Sequence, residues 1–246
     1  MSDVRGNEQQ LYAENDDLNS RLFFALTENL KLPLLQIARQ AELAYETDDL
    51  MSLKDIQYIA DTTTQLVDSY ILSTRLCQAG ENLVLTPVSL SAMLSDVAHR
   101  LEKIALANSC DIELHIAGRY GPIMAHPSGL SAALINIGQV FIDAQSQRTI
   151  AKRPVIKLAA HRTKNGISAG LFSDIEGLNR DMFSRAKKLY GNSPQPLSQL
   201  TAHNGAGVFI ADSLLGTMSS GLRIAHHQKL TGLAATFTPS YQMALV

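Results

Sequence analysis

The chain has little cysteine: Cys77 and Cys110 are the only two in 246 residues, with no CxxC pair and no Cys/His cluster at zinc-ligand spacing. That excludes a disulfide framework and argues against a structural metal. It has almost no net charge either, 21 Lys and Arg standing against 23 Asp and Glu, with a pI near 6.4. The global positive field of a non-specific nucleic-acid binder is missing, so no nucleic-acid partner is expected. Long apolar runs are absent too: the most apolar stretch, 130–144, is broken by Ser131, Asn136, Gln139 and Asp143. The start, MSDVRGNEQQ, is polar where a signal peptide would be apolar. The expectation is a cytoplasmic protein without membrane insertion. There is no internal repeat or low-complexity tract, and no histidine precedes His99.

The residues that are present are periodic. Residues 1–10 carry almost nothing apolar, and Leu11, Leu18 and Ala25 then fall at heptad spacing, so 1–20 reads as a flexible start leading into a helix. Leu22, Leu26, Leu30, Leu34, Ile37, Ala41 and Ala44 step by three and four, the stripe of one helix face. Pro33 interrupts that stripe and is expected to bend or weaken the helix, because it removes a backbone donor and crowds the preceding turn. After the polar break Glu46–Asp49, with Asp48 or Asp49 as an N-cap, a second stripe runs through Leu50, Leu53, Ile56, Ala60, Thr63, Leu66, Tyr70, Thr74 and Cys77. It ends near Ala79-Gly80, long enough to lie back along the first helix as an antiparallel hairpin over 21–80. Two helices with one apolar stripe each do not enclose a core. Burying both stripes calls for a second copy or another lobe, and a homodimer closing a four-helix bundle is expected.

The pattern changes after Gly80. Val84–Pro87 reads as extended, Leu90–Asn108 as an amphipathic helix, Asp111–Ile116 as a half-buried strand, and 119–127 as a Gly/Pro-punctuated connection. An apolar helix over 128–146 follows. Strands over Val155–Ala160 and Ser168–Phe172 flank the turn signal Asn165-Gly166. A polar stretch at 179–204, a helix near 206–217 and strands near Leu222–Ala225 and Ala234–Thr238 complete the chain. The fold class is α+β, a helical hairpin followed by a mixed lobe over 81–246.

Particular residues recur in a familiar order. Leu26-Thr27-Glu28-Asn29-Leu30-Lys31-Leu32-Pro33-Leu34 resembles the phosphoacceptor box of sensor histidine kinases, roughly S-H-E-L-R-T-P-L, a match that would account for Pro33. Leu83–Leu90 looks like that family's linker into its ATP-binding lobe, and Gln139–Ala144 falls where its asparagine box, N-L-L-x-N-A, belongs. Ser173–Leu178 occupies the place of the first glycine box and Gly205-Ala206-Gly207-Val208 that of the second, while Ser220–Ile224 and Gly232–Pro239 are similar to the closing strands. The resemblance covers roughly residues 20–240 and implies a dimeric hairpin joined to an α/β two-layer sandwich of the histidine-kinase ATPase type.

Departures from the family decide what chemistry the resemblance implies. Glu28 replaces the phosphoacceptor histidine and Asn29 its acidic neighbour. The family's nucleophile is a neutral imidazole nitrogen assisted by that acid; a glutamate is a poor substitute toward polyphosphate, so autophosphorylation is not expected. Glu28 is then either a constitutive charge imitating a phosphorylated histidine or a solvated helix residue, outward-facing in both cases. Asp143 stands where the family's asparagine chelates Mg²⁺; a carboxylate ligates Mg²⁺ but adds negative charge beside the phosphates. Ser173 stands at the adenine-binding aspartate, with Asp174 one place off and Gly177 completing the box. Gly205 and Gly207 precede a helix that could approach a phosphate, or they serve only a tight turn or close helix packing. His226-His227, His99, His126 and His203 read as solvated or capping rather than as a metal site.

The function implied is that of a catalytically deficient, histidine-kinase-like signalling protein, a pseudokinase of a two-component pathway. Its partners would be a response-regulator receiver domain or a histidine kinase, docked on Glu28, Asn29, Lys31 and the facing Leu72 and Arg75. Two alternatives stand beside it. One is an enzyme that still binds Mg-ATP through Asp143, Ser173, Asp174, Gly177, Gly205 and Gly207, and hydrolyses it or phosphorylates a partner. The other is a structural coiled-coil adaptor.

Overall fold

The structure, a computed structural model, describes residues 2–47, 50–146, 153–190, 205–219 and 221–240. Two helices open the chain, α1 (Ser2–Thr47) and α2 (Leu50–Ala79), packed on each other and followed by a single 3-10 turn at Gly80–Asn82. The helix begins at Ser2 rather than near Leu11, and α1 runs unbroken through Pro33, which is buried. Leu22 and Leu26 of α1 and Leu66 and Leu76 of α2 are buried, and the Phe23 ring lies 6.3 Å from that of Tyr70, as expected for antiparallel helices. The expected turn caps Asp48 and Asp49 lie outside the described residues.

The lobe follows as β1 (Thr86–Val88), α3 (Leu90–Ala107), β2 (Asp111–Ile116), β3 (Ile123–Ala125), α4 (Pro127–Ser146), β4 (Val155–Thr163) and β5 (Gly166–Ser173). It then continues through α5 (Arg180–Leu189), α6 (Gly205–Gly216), β6 (Arg223–His227) and β7 (Leu230–Phe237). β1 pairs with β3 in a two-stranded ribbon, and five strands form a mixed sheet in the order β2-β4-β5-β7-β6, with only β2 and β4 parallel. This is the two-layer α/β lobe expected from the sequence. β3 and α5 were not legible in the sequence, one being three residues long and the other lying in the polar stretch 179–204. α5 has an N-cap, the Asn179 side chain accepting from Met182 N at 2.9 Å, and Lys187 and Lys188 in its last turn. The remainder of that polar stretch, with His203, lies outside the described residues.

Alternation along the strands separates two faces. Ile156, Leu158 and Ala160 of β4, Ile167, Ala169 and Leu171 of β5, and Leu233, Ala235 and Phe237 of β7 join α3, α4 and α6 in the main core. The opposite face carries a second, small cluster of Ala159, Phe172 and Ala234, with Ala225 and Leu230 packed against it. Glycine is required on that face: a Cβ at Gly170 would stand 2.1 Å from the Leu233 carbonyl oxygen, and one at Gly232 2.0 Å from that of Leu171. The close backbone approach lets the central strands curl.

The hairpin is docked on the helical face of the lobe. α2 packs on α4 and α6, Ser73 Oγ donates to Ser213 Oγ at 2.9 Å, and Leu76 approaches Gly129. Arg21 of α1 reaches the carboxyl end of α5, donating from Nε to the Tyr190 carbonyl at 2.8 Å and from Nη2 to those of Lys187 and Lys188. A guanidinium there satisfies terminal carbonyls and opposes the negative end of the helix dipole.

Candidate functional site

Three places in the molecule are compared with the sequence expectations: the hairpin around Glu28, the contact of α4 with α6 and the end of β5, and the sheet face opposite the helices.

On the hairpin, Glu28 is partly exposed and its carboxylate is ion-paired with the Lys31 ammonium one turn on. Asn29 is half-buried and Lys31 exposed. On α2, Arg75 is exposed, whereas Leu72 is half-buried and faces the lobe, lining a groove of about 460 Å³ with Gln65, Asp68, Arg100 and Ile135. Large apolar side chains remain exposed on the outer surface of the hairpin, among them Phe23 (56%), Leu34 (59%), Leu35 (66%) and Tyr45 (93%) of α1 and Leu53 (53%) of α2.

α4 and α6 run antiparallel in close contact, the start of α4 beside the end of α6. Gly205, Ala206 and Gly207 are all buried, and a Cβ at Gly207 would come 3.1 Å from Val140 Cγ2 and 3.5 Å from the Asn136 carbonyl oxygen. Gly207 therefore lies close against α4. Asn136 presents a buried carboxamide with neither Nδ2 nor Oδ1 hydrogen-bonded. Gln139 turns toward the hairpin, its Nε2 donating to Gln65 Oε1 at 3.2 Å. Asp143 is half-buried and its charge is felt on α2: the Tyr58 hydroxyl is pushed up to about 12, first by burial and then by Asp143. The same order of causes, burial ahead of Asp111 and Asp143, raises the Cys110 thiol.

At the end of β5, Ser173 is fully buried and its hydroxyl is engaged twice. It donates to the Val155 carbonyl at 2.8 Å and accepts from Gln145 Nε2 at 2.8 Å. Gln145, also buried, gives a further hydrogen bond from the same nitrogen to the Asp174 carbonyl at 2.8 Å. Asp174 and Gly177 are exposed. The Ser173 hydroxyl thus has its donor and one acceptor site engaged within the chain, while Gly207 lies close against α4.

On the open sheet face, residues that sequence spacing could not associate come together. His115 of β2 and His227 of β6 approach with Nδ1 and Nε2 2.6 Å apart, and the His161 ring of β4 stacks on His227 with centroids 6.3 Å apart. His227 is only 8% exposed, so the expectation of a solvated His226-His227 pair is corrected: both lie in β6, and alternation turns His226 outward and His227 in. Burial, then His115, His161 and Lys157, hold the His227 imidazole below its usual range. His126, by contrast, caps as expected, its Nδ1 accepting from Gly129 N at 3.1 Å at the start of α4.

A helical hairpin joined to a helix-backed mixed sheet of this strand order defines a histidine-kinase-type fold. No family model and no curated protein matches the sequence. Solved structures do match. The Acinetobacter baumannii histidine kinase AdeS is 12% identical, with a TM-score of 0.54 over 85% of this chain and 96% of that one. The histidine kinase ThkA in complex with the response regulator protein TrrA is 13% identical, with a TM-score of 0.56 over 96% of this chain and 66% of that one. Full-length ShkA in complex with AMPPNP is 17% identical, with a TM-score of 0.53 over 94% of this chain. This chain spans 46% of ShkA. Among the described residues no helix is long and apolar enough to cross a membrane.

Proposed function

We propose that the chain is a catalytically deficient histidine-kinase-like signalling protein that pairs with a second copy through α1 and α2 and docks a response-regulator receiver domain or a kinase. Its output is binding. The observation that carries this reading is Glu28, a carboxylate already neutralised by Lys31 on a hairpin that has no imidazole to accept a phosphoryl group. The Gln145–Ser173 hydrogen bond supports it from the other lobe, since the side chain at the place of the family's adenine-binding aspartate is already engaged within the chain. The exposed Phe23, Leu34, Leu35 and Leu53 support pairing with a second copy, because apolar helix faces of this kind are buried in stable bundles. Leu35→Glu should therefore shift the mass measured by light scattering from dimer to monomer.

Docking is tested by titrating receiver domains and kinases from the same cell into the full chain and following the heat. Micromolar binding that is weakened by Lys31→Glu or Arg75→Glu supports the reading. If neither class of partner binds at micromolar concentration, the docking role fails. The enzyme alternative is tested by the same calorimeter: heat or a thermal shift with ATP or ADP at millimolar concentration would restore it.

A further inference from the structure

We propose that His115, His161 and His227 together bind one divalent transition ion through their imidazole nitrogens, on the face of the sheet opposite the hairpin. Three strands contribute, two of them the outer strands β2 and β6. The small residues between them, Ala159, Gly170, Gly232 and Ala234, leave room for rings from opposite edges to meet over Phe172, whose ring is 5.3 Å from that of His227.

The spacing is close to what an ion needs. A tetrahedral ion holds imidazole nitrogens at about 2.0–2.1 Å, which sets two such nitrogens roughly 3.3 Å apart and their ring centroids about 5 Å apart. His115 and His227 have nitrogens 2.6 Å and centroids 4.7 Å apart, and His161 and His227 have centroids 6.3 Å apart. Among the described residues no three potential ligands already surround one point, so the ion must open the first pair and draw His161 in, each by about 1 Å. A second observation points to a ligand: His161 Nδ1 is buried without a hydrogen-bond partner. A buried polar atom in that state is costly, and coordination would satisfy it.

Charge on the same face sets the class of ion. Lys157 faces the cluster but is paired with Glu113 at 3.0 Å, and Arg223 is hydrogen-bonded to Thr236. These cations oppose a hard ion held by charge alone. Neutral imidazoles instead favour zinc, copper or nickel, whose bonds to nitrogen are stronger.

The test uses the full chain, stripped with a chelator and titrated with Zn²⁺ by calorimetry at pH 7.5, with Co²⁺ absorption as a second readout. One Zn²⁺ per chain and a visible tetrahedral Co²⁺ spectrum are expected, with affinity lowered at least tenfold in His115→Ala, His161→Ala and His227→Gln. His227→Gln keeps the buried volume, and His115 is exposed, so folding survives in at least one variant. His226→Ala, outside the cluster, should leave binding unchanged. Absence of binding at millimolar Zn²⁺, or binding untouched by all three substitutions, overturns the proposal.

Discussion

Replacing Gln145 by alanine removes the donor of two hydrogen bonds at 2.8 Å, to the Ser173 hydroxyl and the Asp174 carbonyl, from a side chain with 1% exposure. Each such bond contributes about 0.5–1.5 kcal/mol net, and the vacated side-chain volume adds about 1 kcal/mol. Loss of the buried, unpartnered Gln145 Oε1 offsets part of this. The expected destabilisation is about 2–3 kcal/mol, a large share of the roughly 5–15 kcal/mol typical of a folded domain. Urea unfolding followed by circular dichroism would read it as a lower midpoint at unchanged slope. A double-mutant cycle with Ser173→Ala should return a coupling of about 1 kcal/mol, since Ser173 retains its own bond to Val155. A loss below about 0.5 kcal/mol would show that the carboxamide is not holding the end of β5, and the support it lends the proposed function would fall with it.

Acid should act through His227. Its folded-state pKa lies below the ordinary value of about 6.5, so the unfolded chain takes up a proton first. The stability it contributes is complete above about 6.5 and is lost as pH falls through the folded value, and His227→Gln should flatten that part of a stability-against-pH curve. Arg21→Ala removes the donors to the Tyr190, Lys187 and Lys188 carbonyls and should cost about 1–3 kcal/mol, with amide exchange accelerating at the end of α5 before elsewhere. Gly232→Ala places a methyl 2.0 Å from the Leu171 carbonyl oxygen; the strands must separate, and the midpoint of thermal unfolding should fall by several degrees, about 1–3 kcal/mol of overpacking.

Local periodicity made most elements legible. The stripes at steps of three and four became α1 and α2, Asp111–Ile116 is a strand to the residue, and the 128–146 helix starts one place earlier at Pro127. Short or context-dependent elements escaped. β3 exists because Ile123, Met124 and Ala125 meet Val88, Pro87 and Thr86, a pairing across the chain that three residues cannot announce. β7 begins at Leu230 because Thr231 and Gly232 pair with Ser173 and Phe172, although glycine is itself a poor strand former. Pro33, expected to bend or weaken its helix, lies buried inside α1, whose helical hydrogen bonding continues on both sides of it.

The sequence by itself determined the order of elements, the absence of an imidazole from the hairpin and the small residues Gly205-Ala206-Gly207 at the start of α6, because each is a matter of residue identity and local spacing. Only the tertiary structure decided what those residues face. Gln145 and Ser173 are separated by a connection and a whole hairpin, yet one amide closes the other's hydroxyl. His115, His161 and His227 come from three strands, and they meet because Gly170 and Gly232 let backbones approach where any side chain would hold them apart. Contacts of that range depend on sheet register and curl, which no local pattern of residues encodes.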